Sequence, residues 1–353
     1  MASSGDKRVG WMGECFRHLG DFGKRKICDV WLPGSHDAGT YDLSFSYRDE
    51  DMPEAVVRLL RSRLPSCVRN SILAVVRRYA RTQKHSIFDQ LCYGSRYLDL
   101  RPVVVRDSKS TEGQTFISHG LLGKERFSDV LQQILRFLET NEKEFLVLDI
   151  YCLRSALRLQ LPEDMVLVEA EIESVLGKFI VNPSRWDTPI EELLGLDQRV
   201  YLVLERNGAN YHASYGRDSI CRVWPNEFGL ENLKQKLESE FSRQSSKPQL
   251  HRVLEFIRSV PEGDSFFFVK GALAGMACCP CLPYPRDLEQ INRPLTRLGK
   301  SWLTEFTEIG TPFDPAIVMM DFVGEQNELL IEQTIAMNWS RCSRPASSNG
   351  NRV

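Results

Sequence analysis

The chain has 353 residues, with 45 basic and 47 acidic side chains and a formal net charge of -2. A net charge so close to zero argues against bulk binding of nucleic acid, and the hydrophobic fraction of 42% is enough for a sizeable core. No uninterrupted apolar run reaches the roughly 18 residues that a membrane-spanning helix needs. Residues 1–8 contain no apolar signal segment. We therefore expect a cytoplasmic protein whose ten cysteines are reduced thiols.

Short apolar runs rich in β-branched residues alternate along the chain with segments of helical periodicity. Strands are predicted at 28–32, 97–105, 114–118, 145–151, 200–204, 265–269 and 317–321. Helices are predicted at 163–176, 230–241 and 327–338, and in a segment capped by Ser128. This alternation predicts a parallel α/β barrel or a doubly wound sheet. Because the third strand follows the second almost directly, a regular βα repeat is not expected near the start.

A basic segment separates the first two predicted strands. Residues 55–84 contain no acidic residue and eight basic ones, namely Arg58, Arg61, Arg63, Arg69, Arg77, Arg78, Arg81 and Lys84. Apolar residues are interleaved with them and Pro65 divides the segment, which predicts an amphipathic helical hairpin. Two interpretations stay open: an outer layer of the barrel with a solvated basic face, or a surface that lies on anionic lipid.

Two histidines and an arginine accompany three of the predicted strands. His36 follows the first strand, Arg101 lies in the second, and His119 directly follows the third. Barrels of this class place their chemistry at strand ends, so we expect the three side chains to share one site. Histidine can both remove and donate protons near neutral pH, and arginine can hold a phosphate through two hydrogen bonds. The set predicts an acid–base reaction at phosphorus.

Three carboxylates lie where they could support these side chains. Asp37 adjoins His36, Asp99 precedes Arg101 by two residues on the same strand face, and Asp321 ends the last predicted strand. A catalytic histidine is usually oriented by such a carboxylate. The alternative for Asp321 is that it only caps the following loop.

These motifs together resemble the catalytic X domain of phosphatidylinositol-specific phospholipase C. The matching stretches are Leu-Pro-Gly-Ser-His-Asp-Ala-Gly-Thr at 32–40, Gly-Ser-Arg-Tyr-Leu-Asp-Leu-Arg at 94–101, Ser-His-Gly-Leu at 118–121, Glu-Phe-Leu-Val-Leu-Asp at 144–149 and Met-Asp-Phe-Val-Gly at 320–324. The resemblance implies a single domain at 10–340, a distorted TIM (β/α)8-type barrel. A basic helical insertion at 50–90, a flexible N-terminus at 1–9 and a disordered tail at 341–353 complete the expected organisation.

The resemblance also implies a role for each histidine. His36 corresponds to the general base and is supported by Asp321, and His119 corresponds to the general acid and is supported by Asp37. The implied substrates are phosphatidylinositol and glycosylphosphatidylinositol lipids, and the implied products are diacylglycerol and an inositol 1,2-cyclic phosphate. The sequence does not specify whether a plain, phosphorylated or glycosylated headgroup is preferred.

The family has a calcium-binding branch and a metal-independent bacterial-type branch. Arg101 stands where the calcium branch has a metal ligand, and Tyr151 stands where that branch places a glutamate. The resemblance therefore implies chemistry without calcium or another cofactor, in which Arg101 binds the phosphate with Asp99 beside it. Arg206 falls near a position that contacts the inositol ring in the bacterial branch.

A cysteine cluster follows the apolar run at 266–276. Cys278, Cys279 and Cys281 resemble the corresponding stretch of the glycosylphosphatidylinositol-specific phospholipases C of trypanosomes. Their spacing is not typical of a zinc site, and cysteines beside an apolar run are candidates for S-acylation. The alternative is a reduced, unmodified loop. Acylation together with the basic hairpin would supply the two signals that stable membrane attachment usually needs.

The sequence thus predicts a monomeric enzyme peripherally associated with the cytosolic face of a membrane, with an inositol phospholipid as its partner and no nucleic acid. Two other functions stay open. One is a metal-dependent phosphodiesterase acting on soluble glycerophosphodiesters, against which Arg101 argues. The other is a catalytically silent lipid-binding scaffold, which would be expected to lack one of the core residues.

Overall fold

The computed structural model of the protein describes residues 6–106, 113–150, 162–204, 215–216, 220–222, 224–242, 251–259, 285–308 and 315–340. The strands in these ranges are β1 Leu32–Ser35, β2 Tyr97–Leu100, β3 Pro102–Arg106, β4 Gly113–His119, β5 Leu121–Arg126, β6 Leu146–Ile150, β7 Val200–Leu204, β8 Tyr215–Gly216, β9 Ile220–Arg222, β10 His251–Phe256 and β11 Ala316–Met320. The α-helices are α1 Asp6–Val9, α2 Trp11–His18, α3 Glu54–Arg61, α4 Ser66–Ala80, α5 Ile87–Cys92, α6 Phe127–Thr140, α7 Pro162–Leu176, α8 Ile190–Gly195, α9 Leu230–Ser242, α10 Leu288–Glu308 and α11 Glu328–Ser340.

Eight of the strands form one sheet, in the order β8-β7-β6-β2-β1-β11-β10-β9, and every neighbouring pair is parallel. The strands β1, β2, β6, β7, β10 and β11 are buried at every residue, as expected where both faces of a sheet are covered. The first and last strands in chain order, β1 and β11, are direct neighbours. The predicted α/β fold, a distorted (β/α) barrel, is confirmed.

The predicted strand at 97–105 is two strands that belong to different sheets. It divides at Arg101 into β2, which lies in the barrel sheet, and β3, which pairs with β4 in a separate antiparallel sheet of β3, β4 and β5. The predicted strand at 114–118 corresponds to β4 and therefore lies outside the barrel sheet. No regular βα repeat is expected near the start of the sequence, because the second and third predicted strands are so close in the chain. The added antiparallel sheet accounts for this irregularity.

The first barrel strand begins later than predicted. Ile27–Asp29 form a 3-10 turn, and β1 starts only at Leu32, so the apolar run at 28–32 is mostly the buried approach to the strand. Gly34 lies in the middle of β1, where a Cβ atom would approach Tyr97 Cδ1 to 2.9 Å and Ile317 Cγ2 to 3.0 Å. Glycine therefore lets β1 fit closely between β2 and β11, and His36 follows directly after the strand.

The remaining predicted elements within the described ranges agree with the structure to within a few residues, whereas β10 and α10 were not predicted. Helices α7, α9 and α11 correspond to the predicted segments, but α6 begins at Phe127, so Ser128 is not its cap. Instead, the Asp129 carboxylate accepts a hydrogen bond from the Arg126 backbone N–H at 3.1 Å. The predicted strand at 265–269 lies outside the described residues. The domain limits at 10 and 340 stay predictions.

The basic segment forms the expected helical hairpin. Helices α3 and α4 are separated at Pro65, which is the N-cap of α4. Val57, Leu60 and Leu73 are buried in a small core that includes Leu121 of β5. None of the helices in the described part of the chain combines the length and the apolarity that crossing a bilayer requires.

Candidate active site

The site predicted from the sequence lies at the carboxyl edge of the barrel sheet. Strands β1, β2 and β11 are adjacent and parallel, so the residues at their carboxyl ends meet there. Residues from these ends and from β4 lie within contact distance of one another, namely His36, Asp37, Asp99, Arg101, His119 and Asp321. Five come from the barrel edge, and His119, the last residue of β4, comes from the antiparallel sheet.

His36 is held in place through both its imidazole ring and its backbone carbonyl. Its Nδ1 lies 2.7 Å from Oδ1 of Asp321, and the other oxygen of that carboxylate accepts a hydrogen bond from Nδ2 of Asn292 at 2.9 Å. The backbone carbonyl of His36 accepts hydrogen bonds from Nε2 of Gln83 at 2.9 Å and Oγ1 of Thr82 at 3.0 Å. Because a carboxylate only accepts, Nδ1 carries the proton, and the lone pair of a neutral ring lies on Nε2.

The electrostatic surroundings favour proton uptake by His36. Burial lowers the pKa of the imidazole, but the carboxylates of Asp37 and Asp321 raise it by more, so the pKa of His36 lies above its usual value. Burial also raises the pKa of Asp321, an effect that His36 only partly offsets. The two buried groups therefore form a unit that takes up a proton readily.

The Asp37 carboxylate lies at the centre of the site. Its Oδ2 is 3.2 Å from Nε2 of His36 and 3.4 Å from Nε2 of His119, and its Oδ1 is 2.5 Å from Nε of Arg101. The side chain is completely buried. Its backbone is left-handed, with φ of 42°, a strained conformation that aspartate adopts more readily than most residues and that is concentrated at functional sites. One carboxylate thus contacts both histidines and the arginine.

The orientation of His119 differs from the expectation. Its Nδ1 lies 2.7 Å from the backbone carbonyl oxygen of Ala80, at the end of α4. A carbonyl only accepts, so Nδ1 carries a proton and Nε2 is the atom directed at Asp37. The expected contact with Asp37 is therefore present, but it is made at Nε2, while the main chain orients the ring. At 31% exposure of its side chain, His119 is more open to solvent than His36, at 14%.

The guanidinium of Arg101 joins these groups. Besides Asp37, its Nη2 lies 2.9 Å from Oδ2 of Asp99 and 3.2 Å from Nε2 of His36. Burial lowers the pKa of Arg101, but Asp37 and Asp99 raise it by more, so the side chain stays charged. The arginine therefore presents a fixed positive charge directly beside the lone pair of His36.

A second arginine, missed by the sequence analysis, extends the site. Nη2 of Arg222, the last residue of β9, lies 3.1 Å from Oδ2 of Asp99, and its Nε lies 2.5 Å from Oε1 of Glu255 in β10. Burial raises the pKa of Asp99, but Arg101 and Arg222 outweigh it and hold that pKa below its usual value. Glu255 could have been noticed in the sequence, because it is an acidic residue within an apolar segment. Arg222 could not, because its strand is too short to be recognised.

The barrel strands β2 and β6 add a further pair beside Arg222. The hydroxyl of Tyr97 donates to Oδ2 of Asp149 at 2.6 Å, and burial, followed by the charge of Asp149, raises the pKa of that tyrosine well above its usual value. Asp149 ends the quoted motif at 144–149, but its contact with Tyr97 was not expected. Together these residues make the floor of the site polar and densely charged.

Several sequence predictions fall on residues outside the described ranges. These are the inositol contact at Arg206, the comparison at Tyr151, and the acylation candidates Cys278, Cys279 and Cys281. They stay predictions.

One group of side chains has the composition of a metal site. Ligand atoms of His36, Asp37 and Asp99 lie within 4.8 Å of one another. However, the guanidinium of Arg101 contacts all three residues, at 2.5 to 3.2 Å. A divalent cation bound to all three ligands would have to displace this side chain, so the residues present fit an internal cation better than a metal ion.

The chain is similar to known proteins both in sequence and in fold. No protein-family model matches the chain. Among curated proteins, the zebrafish PI-PLC X domain-containing protein 1 is 28% identical over 138 residues, which cover 39% of this chain and 42% of that protein. The variant-surface-glycoprotein phospholipase C of Trypanosoma brucei brucei is 26% identical over 223 residues, which cover 62% of this chain and 60% of that protein. The chain therefore spans about half the length of these curated relatives.

Among solved structures, the phosphatidylinositol-specific phospholipase C of Listeria monocytogenes matches with a TM-score of 0.59 at 16% identity, covering 92% of this chain and 98% of that one. At this identity the match establishes the fold. The chain is thus similar in sequence to X-domain proteins and to a trypanosome phospholipase C, and similar in fold to a bacterial enzyme. The resemblance drawn from the motifs is confirmed.

Proposed function

We propose that the protein is a phospholipase C that cleaves phosphatidylinositol lipids, glycosylphosphatidylinositol lipids or both by metal-independent acid–base catalysis. The observation that carries the proposal is the convergence of two imidazole Nε2 atoms and one guanidinium on the buried carboxylate of Asp37. A base, an acid and a phosphate-binding cation are the three groups that this reaction needs. The similarity in sequence to a trypanosome phospholipase C and in fold to a bacterial one supports the same assignment.

In the proposed reaction, His36 acts through Nε2. It removes the proton from the 2-hydroxyl of the inositol ring, and that oxygen forms a bond to phosphorus. The bond between phosphorus and the diacylglycerol oxygen breaks, and His119 donates its Nε2 proton to that leaving oxygen. The products are diacylglycerol and inositol 1,2-cyclic phosphate, so the nucleophile comes from the substrate and no covalent enzyme intermediate forms.

Arg101 supplies the positive charge in this scheme. Its guanidinium is held by Asp37 and Asp99 and is partly accessible, so it can bind the non-bridging phosphate oxygens without reorganising. We propose that no calcium or other cofactor takes part, because Arg101 lies among the groups that could otherwise bind a divalent cation. The metal-dependent glycerophosphodiesterase alternative is disfavoured for the same reason. A silent scaffold is disfavoured because base, acid and arginine are all in contact.

Product analysis tests this proposal directly. Vesicles containing phosphatidylinositol are incubated with the protein in a chelator, and the inositol phosphates are identified by phosphorus NMR. We expect the 1,2-cyclic phosphate to form at an unchanged rate in chelator, and a loss of about 10²- to 10⁴-fold in His36→Ala and in His119→Ala. Complete loss of cleavage in chelator, or near-normal turnover by either variant, contradicts it. Parallel assays with phosphorylated and glycosylated lipids identify the preferred headgroup.

We also propose that the protein acts as a monomer on the cytosolic face of a membrane, with S-acylation at Cys278, Cys279 and Cys281 as one attachment signal. Membrane association that hydroxylamine removes, and that is lost when the three cysteines become serine, supports acylation. Association that neither treatment changes contradicts it.

A further inference from the structure

The hairpin of α3 and α4 presents a basic and partly apolar surface. All eight of its lysine and arginine side chains, listed above for residues 55–84, are exposed. Beside them, large apolar side chains are also exposed: Leu59 at 46%, Val68 at 42% and the neighbouring Phe45 at 38%. The guanidinium of Arg77 lies over the ring of Phe45, 4.9 Å from its centroid. Positive charge and apolar surface therefore occur together on one element.

Only some of these charges are neutralised by the protein. Ion pairs join Arg58 to Glu54, Arg61 to Asp49 and Lys84 to Glu289. Five arginines make no ion pair with any residue in the described part of the chain, namely Arg63, Arg69, Arg77, Arg78 and Arg81. An exposed arginine needs no internal partner, but five such charges on one short hairpin create a local positive field in a chain whose net charge is -2.

We propose that the α3–α4 hairpin is a docking surface for an anionic lipid membrane. Charge complementarity selects the partner, because basic residues gain free energy near negatively charged headgroups. The exposed Leu59, Val68 and Phe45 also favour a membrane as the partner. Apolar side chains flanked by arginine suit the boundary between headgroups and acyl chains. The inference rests on the proposed function, because the hairpin would be the surface by which a lipid-cleaving site reaches its substrate.

The position of the hairpin relative to the site gives the docking a consequence. The hairpin is inserted after β1, at the carboxyl edge of the sheet where the site lies. The carbonyl of Ala80, the last residue of α4, accepts the hydrogen bond from His119, and Thr82 and Gln83, shortly after it, hold the backbone carbonyl of His36. The docking surface and these supports of both histidines thus belong to one continuous stretch of chain, and the C-terminal end of the hairpin lies next to the site.

Vesicle sedimentation tests the surface without any inositol lipid. The full chain is mixed with phosphatidylcholine vesicles that either contain or lack phosphatidylserine. We expect binding only to the anionic vesicles, and about a five-fold loss of partitioning for each arginine removed, hence about 100-fold for Arg63→Gln, Arg69→Gln and Arg78→Gln together. Raised salt should reduce binding by the wild type. A double variant, Leu59→Ser with Val68→Ser, should weaken binding through the apolar contribution.

The matched control removes three charges from the opposite end of the barrel. Lys24, Lys143 and Arg185 are exposed and lie before the amino ends of β1, β6 and β7. The triple change of these residues to glutamine alters the net charge by the same amount, and we expect binding close to that of the wild type. Equal loss in the two triple variants, or no preference of the wild type for anionic vesicles, overturns the proposal.

Cleavage of a short-chain, monomeric phosphatidylinositol separates this inference from the proposed function. The hairpin triple variant should cleave it at the wild-type rate, since the substrate is not in a membrane, while losing activity on anionic vesicles. If the wild type binds anionic vesicles through the hairpin but cleaves no inositol lipid, the proposed function fails and the docking surface stands. If cleavage is normal but the hairpin variant binds vesicles like the wild type, only the docking surface fails.

Discussion

Oδ2 of Asp37 lies 3.4 Å from Nε2 of His119, although Asp37 follows a barrel strand and His119 ends a strand of the separate antiparallel sheet. The same oxygen is 3.2 Å from Nε2 of His36. In the proposed reaction these two nitrogens accept and donate the transferred protons. The carboxylate therefore stabilises positive charge on either ring and links the two proton-transfer steps electrostatically.

We predict that Asp37→Asn lowers kcat by about 10²- to 10⁴-fold with a smaller effect on KM, because a neutral amide cannot stabilise either imidazolium. Steady-state kinetics on short-chain phosphatidylinositol measures this. Asp42→Asn, five residues along the chain at a half-buried position paired with Lys124, is the control and should leave both constants unchanged. A kcat within a few-fold of the wild type would show that Asp37 has no part in proton transfer.

Asp321→Asn should alter the pH dependence as well as the rate. The base must be neutral to work, so activity falls as the pH drops below the pKa of His36, and the carboxylates raise that pKa. Removing one carboxylate lowers it, so the acid limb of kcat/KM should move to lower pH. An amide can also donate to Nδ1 and hold the wrong tautomer, for which we expect a loss of up to about 10⁴-fold. An unshifted acid limb would assign that limb to another group.

Arg101→Lys is not a conservative change at this site. The guanidinium contacts Asp37, Asp99 and His36 through two nitrogens, whereas an ammonium group is a single point of charge. We expect kcat to fall by about 10²- to 10³-fold, as for other losses of an oriented donor at a developing charge. The surface change Arg136→Lys on α6 serves as the control. Wild-type kinetics for Arg101→Lys would exclude two-point phosphate binding.

Arg222→Ala should destabilise the fold. It removes the cation between Asp99 and Glu255, both buried carboxylates, and such losses typically cost about 3–5 kcal/mol. Urea unfolding measures the free energy, and exposed Arg297→Ala on α10 provides the comparison. A change below about 1 kcal/mol would mean that water or protons compensate the carboxylates fully.

Gly34→Ala tests the packing of β1. The added methyl would lie at 2.9 Å from Tyr97 and 3.0 Å from Ile317, both fixed in neighbouring strands. Overpacking of this kind costs about 1–3 kcal/mol, and the displaced strand also carries His36. We expect lower thermal stability together with lower kcat, whereas Gly195→Ala, with open space around the new methyl, should change neither. Unchanged stability in Gly34→Ala would show that the strands can move apart.

The sequence revealed those parts of the site that reside in local motifs. His36, Arg101 and His119 could be found because each is a reactive side chain beside a recognisable strand. Arg222 could not, because its strand has three residues and no periodic pattern. The partner of Nδ1 of His119 could not be predicted for another reason. It is the main-chain carbonyl of Ala80, 39 residues away, and any residue type supplies such a carbonyl. Likewise, Ile27, Val30 and Trp31 are buried before the strand begins and give the approach to β1 the apolar pattern of a strand, which misplaced the start of β1.

The pairing of β1 with β11 means that the proposed catalytic base depends on the complete fold. His36 and Asp321 are 285 positions apart and meet only because the first and last barrel strands lie side by side. A nascent chain still lacking β11 has the histidine but not the carboxylate that directs its proton. Recovery of the proposed activity during refolding should therefore not precede the pairing of β1 with β11.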